Sequence, residues 1–298
     1  MANSLREVKN KISSTKSTAQ ITKAMYMVSQ SKVKVAEKTY KSYEDFMKNI
    51  SLTVKQILGT AGLDYNHPIL KERTVKKTAY FIITSDRGLA GAYNSSVEKK
   101  LEEIINEKHK SSDEYICGAI GRQGYNFIKR KEYPILNKDV VYSRDDVMFV
   151  DVVPLAKSVI DLYLEEELDE LIVIYNHYVN TLTQEVKAER VLPVNANDIM
   201  SGEDTNDNYL VNYTYESGIE RTIDLILPMY IEDLLYQQIL DAKTAEHASR
   251  MNSMRNATDN AEEVISKLQL LYNRARQNVV TTELIDIIGG ANAIGGEK

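Results

Sequence analysis

Residues 1–58 contain neither glycine nor proline. Stepping along them by alternating three and four residues meets Leu5, Val8, Ile12, Thr15, Ala19, Thr22, Tyr26, Ser29, Val33, Ala36, Tyr40, Tyr43, Met47, Ile50, Val54 and Ile57. Thirteen of these sixteen are apolar or tyrosine, and the other three are small hydroxyl residues. A 3.5-residue period held for about eight heptads predicts a left-handed coiled coil. At ~1.5 Å per residue the helix would be roughly 80 Å long, with Gly59 and Gly62 as its stop.

The other end of the chain mirrors this pattern. Between Pro228 and Gly289 there is again no glycine or proline. Met254, Ala257, Ala261, Val264, Leu268, Leu271 and Ala275 keep the three-four step, and Ala245, Ala248 and Met251 fit a shifted register. Pro228, with apolar residues on both sides, marks a helix start or a kink. Two such helices in one chain most simply pair with each other, antiparallel, with Ala19–Ser29 lying near Leu268–Ala275. The last stretch, "LIDIIGGANAI", then projects beyond the pair. The alternative is pairing between chains, which makes a homodimeric coiled-coil scaffold.

Between the arms the period changes. "TAYFIITSD" reads as a strand and "SSVEKKLEEIINEKHKS" as a helix, with Ser95 or Ser96 as N-cap. "EYICGAIG" is a second strand, followed by a short helix, "QGYNFIKRK". "VPLAKSVIDLYLEEEL" is a helix with Pro154 near its first turn. "ELIVIYNHYV" and "TQEVKAERVLPV" form a hairpin around "NTLT". "NANDIMSGEDTNDN" is polar and turn-rich, the linker into the second long helix. The expected fold class is therefore α/β: a long antiparallel left-handed coiled coil of the N- and C-terminal helices plus a Rossmann-like α/β domain with a mixed sheet. The parts are residues 1–58, 74–200 and 209–290.

The strand-to-helix turn "SDRGLAGAYN" raises the question of a phosphate site. It is G-x-x-G, not G-x-G-x-x-G, and no G-K-[ST] follows. Gly88 and Gly91 are better explained by a tight turn and close helix–sheet packing. "GRQG", Gly121 to Gly124, reads the same way, and Asp86 with Arg87 reads as an ion pair bracing the turn. His67, His109, His177 and His247 show no ligand spacing; His177 reads as a core or edge residue, His109 and His247 as solvated. Glu165, Glu166 and Glu167 form a wet helix end. Cys117, the single cysteine, reads as a small core residue, which excludes a disulfide within the chain. No catalytic residue, cofactor site or metal site is expected. A nucleotide-dependent α/β enzyme with a coiled-coil arm is the remaining catalytic alternative.

The net charge of −6 argues against a nucleic-acid binder. No run approaches the roughly 18 apolar residues of a membrane span. Residues 1–60 are nonetheless basic, with eleven Lys+Arg against four acids, so that end suits an acidic partner. The Lys- and Ser-rich first 36 residues have the composition of an organellar presequence, but the heptad pattern runs straight through that boundary.

Three stretches resemble one family. They are "KISSTKSTAQITKAMYMVSQSKV", "SDRGLAGAYN" and "LYNRARQNVVTTELIDIIGGANAI", with "EHASRMNSMRNATDNA" adding to them. The chain resembles the gamma subunits of F-type ATP synthases along essentially its whole length. The resemblance implies a central-stalk rotor whose terminal helices enter a hexamer of alpha and beta subunits. Its α/β domain would sit against epsilon and the ring of c subunits. Catalysis would then belong to the beta subunits, and the chain would be a non-catalytic subunit reaching the membrane only through the complex, at the cytoplasmic face of a bacterial cell membrane. By position, Lys23 and Met25 match contacts to the acidic lever loop of a beta subunit. Arg250, Arg276, Gln277, Thr281 and Glu283 match contacts to the catch loops. Leu284, Ile285, Ile287 and Ile288 match the tip in its apolar sleeve, and Tyr213, Tyr215 and Glu216 the foot that meets epsilon and the ring. The inserted cysteine pair of photosynthetic members has no counterpart beside Cys117.

Overall fold

A computed structural model describes residues 2–61, 67–195 and 218–295. Helix α1 spans Ala2–Ala61. After it come strand β1 (Thr78–Ile83), α2 (Tyr93–Lys108), β2 (Tyr115–Ile120), α3 (Arg122–Arg130), α4 (Phe149–Leu164), β3 (Glu170–Tyr178), β4 (Gln184–Leu192) and a final helix α5 (Ile219–Gly295). The described chain falls into two compact units. One holds the residues up to Ser29 together with those from Arg250 onward; the other is Gln30–Ser249.

In the larger unit the strands lie in the order β2-β1-β3-β4. The first three are parallel, and β4 returns antiparallel to β3. The mixed sheet and its closing hairpin are as expected. The hairpin turns on Asn180, whose side-chain oxygen accepts the amides of Leu182 and Thr183, both at 2.9 Å. All of β1 is buried, in keeping with a run, "TAYFII", that does not alternate polar with apolar residues. Its side chains still divide with period two. Ala79, Phe81 and Ile83 face a core made with α4 and the ends of α1 and α5. Tyr80 and Ile82 face the core made with α2 and α3. Burying each such large side chain contributes about 1.5–3 kcal/mol. Cys117 lies in the second core with its thiol pushed up to about 12 by burial.

Helix α2 begins earlier than the serines suggested. Ala92 is its N-cap, and Ser95 and Ser96 sit in the first turn, their hydroxyls bonded back to the carbonyls of Ala92 and Tyr93. Helix α4 likewise starts five residues before Pro154, with Asp151 accepting the Met148 amide at 3.0 Å. Helix α1 runs past Gly59, and α5 runs through Pro228.

None of the sixteen heptad positions of α1 is exposed: each is buried or half-buried. On α5 the pattern needs correction. Met251, Met254, Thr258, Ala261, Ile265, Leu268, Tyr272, Ala275 and Val279 are the buried or half-buried line. Val264 and Leu271 are 44% and 53% exposed. Met254, Ala261, Leu268 and Ala275 belong to both lines and Ala257 is half-buried as well, so five of the seven expected seam positions hold. At the alternate positions the next residue onward is the more buried: Thr258 beside a half-buried Ala257, and half-buried Ile265 and Tyr272 beside exposed Val264 and Leu271.

The pairing register is also corrected. In the smaller unit Thr22 and Thr258 share a hydrogen bond of 2.8 Å. Counting antiparallel from that pair sets the stretch from Leu268 to Ala275 opposite Leu5–Ile12, not opposite Ala19–Ser29. Every residue from Val280 to Ala291 is exposed.

Candidate functional site: a closed turn and an exposed helix end

The turn that follows β1 is where a phosphate would bind in a nucleotide fold. Here its acceptors are tied to the turn between β2 and α3. Thr84 Oγ1 accepts the Gly124 amide at 2.9 Å, Ser85 O accepts the Gln123 amide at 3.1 Å, and Asp86 Oδ1 accepts the Arg122 amide at 3.0 Å. The first three amides of α3, the donors that would cradle an anion at the neighbouring β2–α3 turn, are thus all taken up by Thr84, Ser85 and Asp86 just after β1. Gly121 adopts φ 98°, and a Cβ there would meet the Thr84 carbonyl oxygen at 2.1 Å. "GRQG" is thus a close-packing turn. Asp86, expected to pair with Arg87, also accepts the Ser143 amide at 3.1 Å. Gly91 supplies a positive φ of 58°, but Gly88 does not, and an added Cβ at Gly88 meets open space. Close packing is therefore not the reason for Gly88.

The same turn grips α5. Tyr93 donates its hydroxyl to the Ala242 carbonyl at 2.9 Å, and Ser249 donates to the Ala90 carbonyl at 2.6 Å. At the end of β3, Asp241 accepts the Tyr178 amide at 2.8 Å and lies 2.6 Å from His177 Nδ1. Burial raises the Asp241 carboxyl, and His177 offsets part of that rise. Every residue of α5 from Gln238 to Ala248 is buried. That stretch includes Lys243, Glu246 and His247, and periodicity alone missed them as anchors. The available signal was a charged triplet inside an alanine-rich, glycine-free run. His247, expected in solvent, is buried with Nε2 3.4 Å from Asp145. His109, also expected in solvent, is packed between the Tyr80 hydroxyl at 2.8 Å and Glu114. His177 sits half-exposed at the sheet end, and Glu165, Glu166 and Glu167 are exposed, both as expected. Among the described residues no group of three His, Cys, Asp or Glu is placed to hold a metal ion. No described helix is long and apolar enough to cross a membrane.

The residues singled out on the terminal helices stand apart from this machinery. Lys23 is exposed, and Met25 and Arg250 are half-buried. Arg276, Gln277, Thr281 and Glu283 are exposed, with Thr281 bonded one turn back to the Gln277 carbonyl at 2.8 Å. Leu284, Ile285, Ile287 and Ile288 are 53–67% exposed. They do not form one cluster. The Thr22–Thr258 register sets Lys23 at the level of Ala257, so Arg276 lies about 30 Å further along the axis at ~1.5 Å per residue. Tyr213, Tyr215 and Glu216 lie outside the described residues.

Comparison with known proteins fits this division. A protein-family model described as ATP synthase matches residues 4–294. The chain is 44% identical over 291 residues to the ATP synthase gamma chain of Staphylococcus haemolyticus, covering 98% of this chain and 99% of the relative. It is also 44% identical over 295 residues to that of Staphylococcus aureus, at the same coverage. Among solved structures, the central stalk and c-ring of the Tetrahymena thermophila mitochondrial ATP synthase matches with a TM-score of 0.61 at 24% identity, covering 80% of this chain and 99% of that one. The rotor of the Euglena gracilis mitochondrial ATP synthase matches with a TM-score of 0.64 at 17% identity, covering 94% and 100%. At these identities the two structures speak for the fold.

Proposed function

The chain belongs to the ATP synthase gamma-chain family, and from that premise we propose how its parts divide the work of a central-stalk rotor. The helix-pair segments, residues 1–58 and 209–290, are the shaft. It turns inside a hexamer of alpha and beta subunits, and ATP is made or hydrolysed on the beta subunits. The α/β domain, residues 74–200, is the grip that takes torque from a ring of c subunits, with epsilon beside it. Tyr213, Tyr215 and Glu216 belong to that foot. The chain holds no nucleotide and sits at the membrane only through the complex, on the cytoplasmic face of a bacterial cell.

One observation carries this reading. Toward its end helix α5 carries a run, Val280 to Ala291, that is exposed throughout and studded with large aliphatic side chains. Apolar surface on that scale fits an enclosing partner. An apolar sleeve holds an axis in place without hydrogen bonds that would favour one angle, which is what a bearing needs. Below the tip, Arg276, Gln277, Thr281 and Glu283 offer hydrogen bonds to loops around the shaft. Lys23, Met25 and Arg250 offer a second tier to an acidic lever, in keeping with the basic charge of residues 1–60.

The test is affinity capture of the tagged chain from membranes. Recovery of alpha, beta, epsilon and c subunits together supports the rotor. Recovery of the chain alone, or only as a homodimer, overturns it.

A further inference from the structure

The hydrogen bonds from the α/β domain described above fall on α5. Asp145, in the segment between α3 and α4, differs in reaching both long helices. Its Oδ2 pairs with the ammonium of Lys32 on α1. Its Oδ1 lies 3.4 Å from Lys243 Nζ and 3.4 Å from His247 Nε2, both on α5. Lys243 is fixed in turn: it donates to the Ser143 carbonyl at 2.7 Å and to Glu246 at 2.9 Å, with its side chain only 6% exposed. One end of the bridge is thus a buried ammonium held on three sides, and the other is a half-exposed lysine on the neighbouring helix. The three elements border a cavity of about 390 Å³ lined also by Val35, Val147 and Leu240. The apolar packing at this level therefore has a gap where the ionic bridge crosses it.

Resting on the rotor reading, we infer that Asp145 is a positioning residue for rotation: it ties α1 to α5 in one angular phase where torque enters the helix pair from the α/β domain. Apolar side chains across a gap resist separation but resist sliding weakly. A carboxylate shared by cations on both helices resists sliding, because either helix must leave its partner to turn alone. Burial alone would raise the Asp145 carboxyl. Lys32, Lys243 and His247 outweigh burial and hold it at about 2, so the bridge stays charged at any working pH.

The test uses the assembled membrane complex with Asp145→Asn, Asp145→Glu or Lys32→Ala. ATP hydrolysis and ATP-driven ion pumping are measured on the same membranes. The expected result is a fall of about threefold in pumping per ATP hydrolysed for Asp145→Asn and Lys32→Ala, with hydrolysis within about twofold of wild type. Asp145→Glu should recover most of the ratio. An unchanged ratio in both variants overturns the inference. So does a proportional fall in pumping and hydrolysis, or an Asp145→Glu variant no better than Asp145→Asn. If Asp145→Asn fails to assemble, Lys32→Ala decides, since Lys32 is half-exposed and its loss leaves Lys243 paired with Asp145. Failure of the rotor reading looks different: membranes lacking this chain would pump as well as wild-type membranes.

Discussion

Thr22 and Thr258 meet inside the helix pair, hydroxyl to hydroxyl at 2.8 Å, at 9% and 8% exposure. Each also reaches a carbonyl of its own helix, Ala19 at 3.1 Å and Met254 at 2.8 Å. A hydroxyl pair bonded across the seam fixes which residues face one another, the role a single buried polar residue plays in other coiled coils. Thr22→Val or Thr258→Val alone should each destabilise the chain by about 1 kcal/mol, because the remaining hydroxyl loses a buried partner. The double variant should cost less than the sum. A thermal double-mutant cycle checks this, and strict additivity would remove the pair from any role in register.

The two candidate seam lines on α5 separate cleanly. Val264 faces solvent, so Val264→Asp should change stability by no more than about 0.5 kcal/mol. Ile265 faces α1, so Ile265→Asp should cost about 1–3 kcal/mol by placing a carboxylate against apolar neighbours. Urea unfolding of the two variants side by side decides between the lines. A larger loss for Val264→Asp would restore the expected seam.

The closed turn makes a paired prediction about glycines and about nucleotide. Gly88→Ala should be nearly neutral, since its new Cβ meets nothing. Gly121→Ala should cost about 3 kcal/mol or more, since backbone stands in the way at 2.1 Å and the residue sits at φ 98°. Because the turn after β1 has no phosphate-cradling glycine pattern and the first amides of α3 beside it are already bonded, the chain should also bind no ATP at micromolar concentration. Calorimetry showing such binding would mean the turn opens.

Asp145 contributes a defined acid limb. Its folded value of about 2 lies below the ordinary 3.8. A depressed carboxyl stabilises the fold above its unfolded value, and that contribution is lost as pH falls toward the folded value. The stability gap between wild type and Asp145→Asn should therefore be full above about pH 5 and shrink between about pH 4 and pH 2. Denaturant midpoints across that window check the sign. A gap that widened on acidification would contradict the bridge.

Lys23→Glu and Arg276→Glu reverse charge on exposed positions of the proposed coupling surface and leave the seam intact. Both should lower ATP synthesis by the assembled enzyme about tenfold while the complex still forms. Wild-type synthesis in both variants would take those residues off the coupling surface.

What is legible in the sequence follows from period. The α1 seam was legible at all sixteen positions, because a partner helix needs one face and the sequence supplies one face without interruption. The strands were legible for a similar reason: β1 is buried on both sides and β3 closes a hairpin on Asn180. Three things were not. Helix α2 starts at Tyr93 because Tyr93 reaches Ala242 across more than a hundred residues, and no local cap signals that. Ile265 and Tyr272 took the seam places of Val264 and Leu271, and Thr258 is buried beside a half-buried Ala257, because both members of each neighbouring pair suit a seam and the period alone does not choose between them. The Asp145 bridge joins residues 32, 145 and 243, which share no motif. As for the candidate site, its tip residues were visible as aliphatics in a helical run, but their exposure depends on the pairing register, which the period does not set.

The bare end of α5 also bears on how such a chain is made. A helix that shows Val280, Leu284, Ile285, Ile287 and Ile288 to water is harmless once sheathed and adhesive before that. Two orphan copies would meet through the surface that a sleeve should cover, and would compete with that sleeve. On the proposed rotor reading, synthesis of this chain would have to keep step with synthesis of the sleeve, and a surplus copy would become a substrate for chaperones and proteases rather than a reserve.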